Sequence, residues 1–171
     1  MKKTFKVLMV CHGNICRSPM AEFIMKKIIS GDDRLKNMNI IVSSAAVSSE
    51  ETGNDIYPPA KAKLREKNVP FERRKARRIV MRDYEEYDLL IGMDESNIRR
   101  MRSFFNEPPY TGTLKEQIAK GKKIFCLPEF WGSSKAVADP WYTDDFETAY
   151  RDIEKGCLCL TAFLKQENEQ N

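Results

Sequence analysis

The chain has 171 residues, of which 42% are hydrophobic, 10% aromatic and 32% charged, enough apolar material for one buried core and too much for a disordered or collagen-like chain. No stretch approaches the ~20 consecutive apolar residues of a membrane helix, and Met1-Lys2-Lys3 leads straight into a strand-like run instead of a signal sequence. The expectation is one domain over residues 1–171, cytoplasmic and without a membrane partner. Lysine and arginine total 29 against 25 acids, a formal +4 too evenly spread to argue for nucleic acid but compatible with an anionic substrate.

Lys6–Val10 reads as a buried strand closed by the turn Cys11-His12-Gly13-Asn14. From Pro19 to Ile29 the period changes: Met20, Phe23, Ile24, Lys27 and Ile28 recur at three-to-four spacing, an amphipathic helix with proline in its first turn. Asn39–Ala45 is a second strand and Pro58–Lys67 a second helix, ended near Asn68 and Pro70. Asp88–Met93 is a third strand, followed by a helix over Glu95–Phe104; Lys123–Leu127 is a fourth strand. A long last helix covers Asp144–Leu164, with Phe146, Ala149, Tyr150, Ile153, Cys157, Leu160, Thr161 and Leu164 on one face, and the polar tail Lys165–Asn171 is expected to fray. Strands alternating with helices predict parallel pairing, since parallel strands need a long crossover that is usually a helix. The product is an α/β, doubly wound open sheet, which binds ligands in the loops at the carboxyl ends of its strands.

The five cysteines, Cys11, Cys16, Cys126, Cys157 and Cys159, have no spacing that suggests a disulfide framework. The one histidine, His12, adjoins Cys11 and cannot complete a zinc set, so neither metal nor cofactor is expected. Cys126, Cys157 and Cys159 read as small buried hydrophobes.

Cys11 and Arg17 stand six positions apart across a loop that runs directly into a helix. Such a loop turns unpaired backbone N–H groups toward one point, and with the helix dipole they form a site for a phosphate-sized anion. Gly13 and Asn14 suit the tight backbone of a cradle. Arg17 grips two anion oxygens with its planar fork, and the same positive field favours a thiolate at Cys11. Strand, Gly-Asn turn, Ser-Pro and helix are the context that a nucleophile loop requires, whereas Asp139 in Asp139-Pro140-Trp141-Tyr142, taken alone, reads as a loop aspartate capping the turn before proline.

The run Val10-Cys11-His12-Gly13-Asn14-Ile15-Cys16-Arg17-Ser18-Pro19-Met20-Ala21-Glu22 resembles the phosphate-loop signature of the low-molecular-weight protein tyrosine phosphatases, and Asp139-Pro140-Trp141-Tyr142 resembles that family's general-acid loop. Lys75-Ala76-Arg77, Met93-Asp94-Glu95-Ser96-Asn97 and Asp145-Phe146-Glu147 extend the likeness from about Lys6 to Leu164. The resemblance implies a flavodoxin-like three-layer fold with four parallel strands in the order 2-1-3-4. It implies hydrolysis of phosphotyrosine in a protein or peptide through a phosphocysteine at Cys11, with Arg17 holding the phosphate and Asp139 as acid, then base. Ser18 reads as a donor to the Cys11 sulfur, as a helix cap, or as both. Asn14 and Ser44 are carried over as members of the network that shapes the loop, although Ser43-Ser44-Ala45-Ala46 departs from the family's small residue and glycine. Asp94 reads as the group that orients Arg17 or as a cap. His12, Gly13, Ile15 and Cys16 complete the substrate loop. Trp141 and Tyr142 form one wall of an aromatic slot, and Ser49-Glu50-Glu51 stands where the family often carries the facing aromatic residue, which leaves substrate preference open and sets acidic residues beside the mouth that would disfavour acidic phosphopeptides.

His12 reads either as a contact to the substrate's flank or as an exposed loop side chain. Cys16 reads equally as a buried filler or as the partner of a protective disulfide with Cys11. The basic run Arg73–Arg78 reads as a solvated face that also steers anions. Three alternatives stay open. Arsenate reductases relay oxidation through further cysteines, and none lies between Cys16 and Cys126. Protein-arginine phosphatases tend to carry threonine where this chain has Ile15. A silent phosphate-binding module would need neither Cys11 nor Asp139.

Overall fold

Val7 to Cys11 are buried without a break, as expected for a strand covered on both faces of a parallel sheet. The computed structural model describes residues 4–170, and in it this strand, β1 (Phe5–Cys11), is followed by α1 (Arg17–Ser30), α2 (Asp33–Asn37) and β2 (Ile40–Ala46). Next come α3 (Pro58–Glu66), α4 (Met81–Glu86), β3 (Leu89–Gly92), α5 (Glu95–Phe105), α6 (Leu114–Ala119) and β4 (Ile124–Cys126). A 3-10 turn at Leu127–Trp131, α7 (Pro140–Thr143) and α8 (Phe146–Glu169) complete the chain. The four strands are parallel in the order β2-β1-β3-β4, with Val10 beside Ala45 on one flank and beside Gly92 on the other. This is the α/β, flavodoxin-like order that the resemblance implies.

The pleat divides the core. Val7 and Met9 face one layer, where Met20 and Ile24 of α1 pack with Ile153, Cys157 and Leu160 of α8. Leu8 and Val10 face the other, against Ile98 and Met101 of α5. Each fully buried side chain of this size contributes about 1.5–3 kcal/mol of transfer free energy. Helix α8 approaches the 3-10 turn so closely that a Cβ at Gly156 would fall 2.4 Å from Leu127 Cγ, so this crossing requires glycine. The connection from β1 leads to β2 on one side and the later chain returns to β3 on the other. The loop after β1 therefore lies where the winding reverses, the ligand position of such sheets.

Two expectations need correction. The tail is helical through Glu169, not frayed from Lys165, because Lys165 pairs with Asp32 at 2.8 Å, Lys115 with Glu167 at 3.3 Å and Arg34 with Glu169 at 3.3 Å. Cys126 and Cys159 are half-buried, and only Cys157 of the three is fully enclosed. Short helices α2, α4 and α6 occupy stretches where the periodicity was too brief to announce them. Among the described residues no helix is long and apolar enough to cross a membrane.

Candidate active site

The loop between β1 and α1 is held from outside through its carbonyls. Val47 N–H donates to Cys11 O at 3.0 Å, Ser48 N–H to His12 O at 3.1 Å, and Tyr57 N–H to Ile15 O at 2.9 Å. The Asn14 carbonyl accepts from Arg74 Nη2 at 2.5 Å. With these carbonyls taken, the loop's N–H groups are left for its concave side. Helix α1 adds the positive end of its dipole, for no acid lies in its first turn and no side chain caps it at Cys16.

Asn14 is the pivot. It is fully buried in the left-handed region at φ 60°, which asparagine tolerates better than most residues. Its Nδ2 donates to Ser18 Oγ and to Ser44 Oγ, both at 2.9 Å, and its Oδ1 accepts from Arg77 N–H at 3.2 Å. The structure thus brings Ser44 to the loop through a direct bond. Gly13 serves differently from the expectation: its φ is not positive, and the absent side chain matters because a Cβ would stand 3.1 Å from Glu51 Cγ.

Cys11 is 3% exposed, and its Sγ lies 3.0 Å from Ser18 Oγ. Since Ser18 Oγ accepts from Asn14, its own proton is free for the sulfur; the alternative acceptor, Ala45 O, is farther away at 3.3 Å. Ser18 lies inside α1, whose cap position is Cys16, so a capping role is excluded. Burial and the neighbouring Cys11 sulfur push the Cys16 thiol upward, so it stays protonated near neutrality.

Arg17 is 2% exposed and fully engaged on one edge. Nη1 donates to Asp94 Oδ2 at 2.6 Å and to Val137 O at 3.1 Å, and Nη2 donates to Asp139 Oδ2 at 3.1 Å. Burial alone would lower its pKa, but the charges of Cys11, Asp139 and Asp94 outweigh it and hold the guanidinium firmly charged. Both carboxylates also cap helices: Asp94 Oδ1 accepts from Asn97 N–H at 2.8 Å to start α5, and Asp139 Oδ1 accepts from Trp141 N–H at 3.1 Å to start α7. Capping and contact to Arg17 coexist because each carboxylate uses a different oxygen.

These groups surround a cleft of about 130 Å³ with Cys11, Cys16 and Arg17 at depth and Asp139, Trp141 and Tyr142 along one side. Trp141 packs on Tyr57 with ring centroids 4.8 Å apart, while Tyr142 is 83% exposed. The other side is made of His12, Glu50 and Glu51. His12 is fastened at both ring nitrogens: Arg100 Nη1 donates to Nδ1 at 3.3 Å, which leaves the proton on Nε2 to donate to Glu50 Oε2 at 2.9 Å. Among the described residues no cluster of histidine, cysteine, aspartate and glutamate could hold a metal ion.

Four residues of the site were not anticipated. Tyr57 supports Trp141 and Arg100 fastens His12, but neither carries a local motif. Arg74 and Arg77 lie in the basic run read as a solvated face, yet both bond to Asn14, and Arg77 makes a two-pronged pair with Asp83 at 2.9 Å for each bond.

The chain matches, over residues 6–170, the family model described as Low molecular weight phosphotyrosine protein phosphatase. It is 32% identical to the Low molecular weight phosphotyrosine protein phosphatase of Homo sapiens, covering 95% of this chain and 96% of that protein. It is 30% identical to the Low molecular weight protein-tyrosine-phosphatase YfkJ of Bacillus subtilis, covering 95% and 97%. The crystal structure of YfkJ superposes with a TM-score of 0.82 over 96% of this chain and 97% of that one, at 31% identity. A structure of a cysteine-to-serine mutant of the YwlE arginine phosphatase with a phosphorylated active-site serine, also from Bacillus subtilis, superposes with a TM-score of 0.79 at 25% identity, over 98% and 100%.

Proposed function

The chain belongs to the low molecular weight phosphotyrosine protein phosphatase family, and we propose that it hydrolyses phosphotyrosine monoesters in a protein or peptide, with Cys11 as nucleophile, Arg17 as phosphate holder and Asp139 as proton carrier. One observation carries the reading: Arg17, one loop away from the Cys11 thiol, is bonded to Asp139, so nucleophile, anion grip and acid border a single cleft.

The Cys11 sulfur attacks phosphorus, forming the S–P bond as the P–O bond to the tyrosyl ring breaks. Loop N–H groups and the guanidinium hold the three equatorial oxygens as charge spreads over them. Protonated Asp139 gives its proton to the departing phenolate oxygen. As a carboxylate it then takes a proton from the water that attacks phosphorus, which breaks the S–P bond and releases phosphate with the Cys11 thiolate restored. Ser18 supports that thiolate through its hydroxyl. Ser44 and Asn14 keep the loop in shape, and Asp94 aims Arg17.

The likeness to an arginine phosphatase makes phosphoarginine the competing substrate. Bulky Ile15 and the Trp141–Tyr57 wall favour a flat aromatic leaving group. The test is a parallel assay of the intact enzyme on phosphotyrosine, phosphoserine, phosphoarginine and arsenate. Turnover of phosphotyrosine well above the other three is expected. Faster turnover of phosphoarginine, or reduction of arsenate, would replace this reading.

A further inference from the structure

We infer that an arginine-lined groove beside the catalytic cleft binds an acidic segment of the substrate polypeptide; the inference rests on the phosphotyrosine reading of that cleft. The groove, about 340 Å³, has Val47, Ile79 and Phe104 as its apolar lining and Arg78, Arg99 and Arg100 as its charged one. It lies against the nucleophile loop, since Val47 N–H bonds to the Cys11 carbonyl at 3.0 Å and Ile79 N–H to the Ala46 carbonyl at 2.9 Å.

The two hollows meet at His12, which lines the cleft and bonds to Arg100 of the groove. A polypeptide with its phosphotyrosine ring in the cleft has to cross the rim, and crossing over His12 leads it into the groove. The charge on the two sides of that histidine is opposite, with Glu50 on its Nε2 and Arg100 on its Nδ1, so the acidic rim of the cleft disfavours an acidic peptide only on its own side and the arginines receive one on the other.

All three arginines are exposed, and among the described residues none has a carboxylate within ion-pair distance. Their neighbours differ: Arg77 is paired with Asp83 and Arg82 with Glu86. Arg78 lies over the Phe104 ring at 5.6 Å, which orients its guanidinium without neutralising it. Three uncompensated planar cations around an apolar floor suit glutamate or aspartate side chains, whose carboxylates arginine grips and whose stems the floor accepts.

The experiment measures kcat/KM for p-nitrophenyl phosphate and for three phosphotyrosine peptides of equal length: uncharged, with glutamates before the tyrosine, and with glutamates after it. The intact protein is compared with the double variant Arg78→Gln/Arg99→Gln, leaving Arg100 to fasten His12. The intact protein should prefer one glutamate peptide about fivefold over the uncharged one, a preference weakened by salt. The variant should lose that preference while its kcat for p-nitrophenyl phosphate stays unchanged. Equal rates on all three peptides, or a preference that survives in the variant, would overturn the inference and leave the cleft's assignment intact. Absent turnover of every substrate would instead remove the phosphotyrosine reading, and the groove's role with it. Binding to phosphatidylserine vesicles that the variant loses, without any peptide preference, would overturn it in favour of a lipid surface.

Discussion

Ser18 Oγ lies 3.0 Å from Cys11 Sγ while accepting a hydrogen bond from Asn14 at 2.9 Å, so the serine proton is directed at the sulfur. A bond of this kind to a charged acceptor is worth about 1.5–3 kcal/mol. In Ser18→Ala, the rate of Cys11 alkylation by iodoacetamide at pH 6 should fall about tenfold, together with kcat. Unchanged alkylation would show that the hydroxyl does not support the thiolate.

Asp139 both caps α7 and bonds to Arg17, and asparagine preserves the cap. Asp139→Asn should therefore fold normally and lose proton transfer. Hydrolysis of phenyl phosphate should slow by about 100-fold or more, and that of p-nitrophenyl phosphate, whose leaving group needs little protonation, by about tenfold or less. Equal slowing of the two would count against the acid role.

Cys16 is buried close to the nucleophile, and its thiol is pushed upward first by burial and then by Cys11. Peroxide converts the Cys11 thiolate to a sulfenic acid; attack by the Cys16 sulfur would form the disulfide and release water. Activity lost to peroxide should return with dithiothreitol in the intact protein and fail to return in Cys16→Ser. Because Cys16 must lose its proton to attack, closure should quicken as the pH rises above neutrality. Full recovery of Cys16→Ser would exclude the protective bond.

Asp55 ties the segment carrying Arg74 to the loop region, bonding to Lys61 at 2.5 Å, to Ile56 N–H at 2.8 Å and to Arg74 N–H at 3.2 Å. Burial pushes its carboxyl upward, but Lys61 and the two amides outweigh it and bring it down to about 2 from 3.8. A carboxylate depressed on folding adds stability that is complete above its unfolded pKa and disappears as the pH falls through its folded value. Asp55→Asn should thus melt below the intact protein at pH 6, with the gap closing between about pH 4 and pH 2. A gap independent of pH would contradict the assignment.

The long elements and the nucleophile loop were readable in the sequence because their signals are local. Strand β1 is an unbroken apolar run, α8 repeats its buried face over many turns, and Cys11, Arg17 and Ser18 are close along the chain. Helices α2, α4 and α6 span two turns or fewer and depend on caps. The Thr113 and Glu116 reciprocal bonds that start α6 carry a local signature, S/T-x-x-E, but one too short to set the helix apart from a turn. Arg74 looked like any member of a basic run, and only the fold reveals that its guanidinium reaches the Asn14 carbonyl 60 positions earlier. Tyr57 and Arg100 likewise act on Trp141 and His12 through tertiary contact, which no spacing encodes.

The central claim is that Cys11 takes the phosphoryl group. Asp139→Asn mixed with p-nitrophenyl phosphate, quenched in acid within its first turnover and digested, should yield a peptide containing Cys11 that carries one added phosphoryl mass, and Cys11→Ser under the same conditions should release no p-nitrophenol. Release of p-nitrophenol by Cys11→Ser at the rate of the intact protein, with no phosphorylated peptide at any quench time, would contradict it.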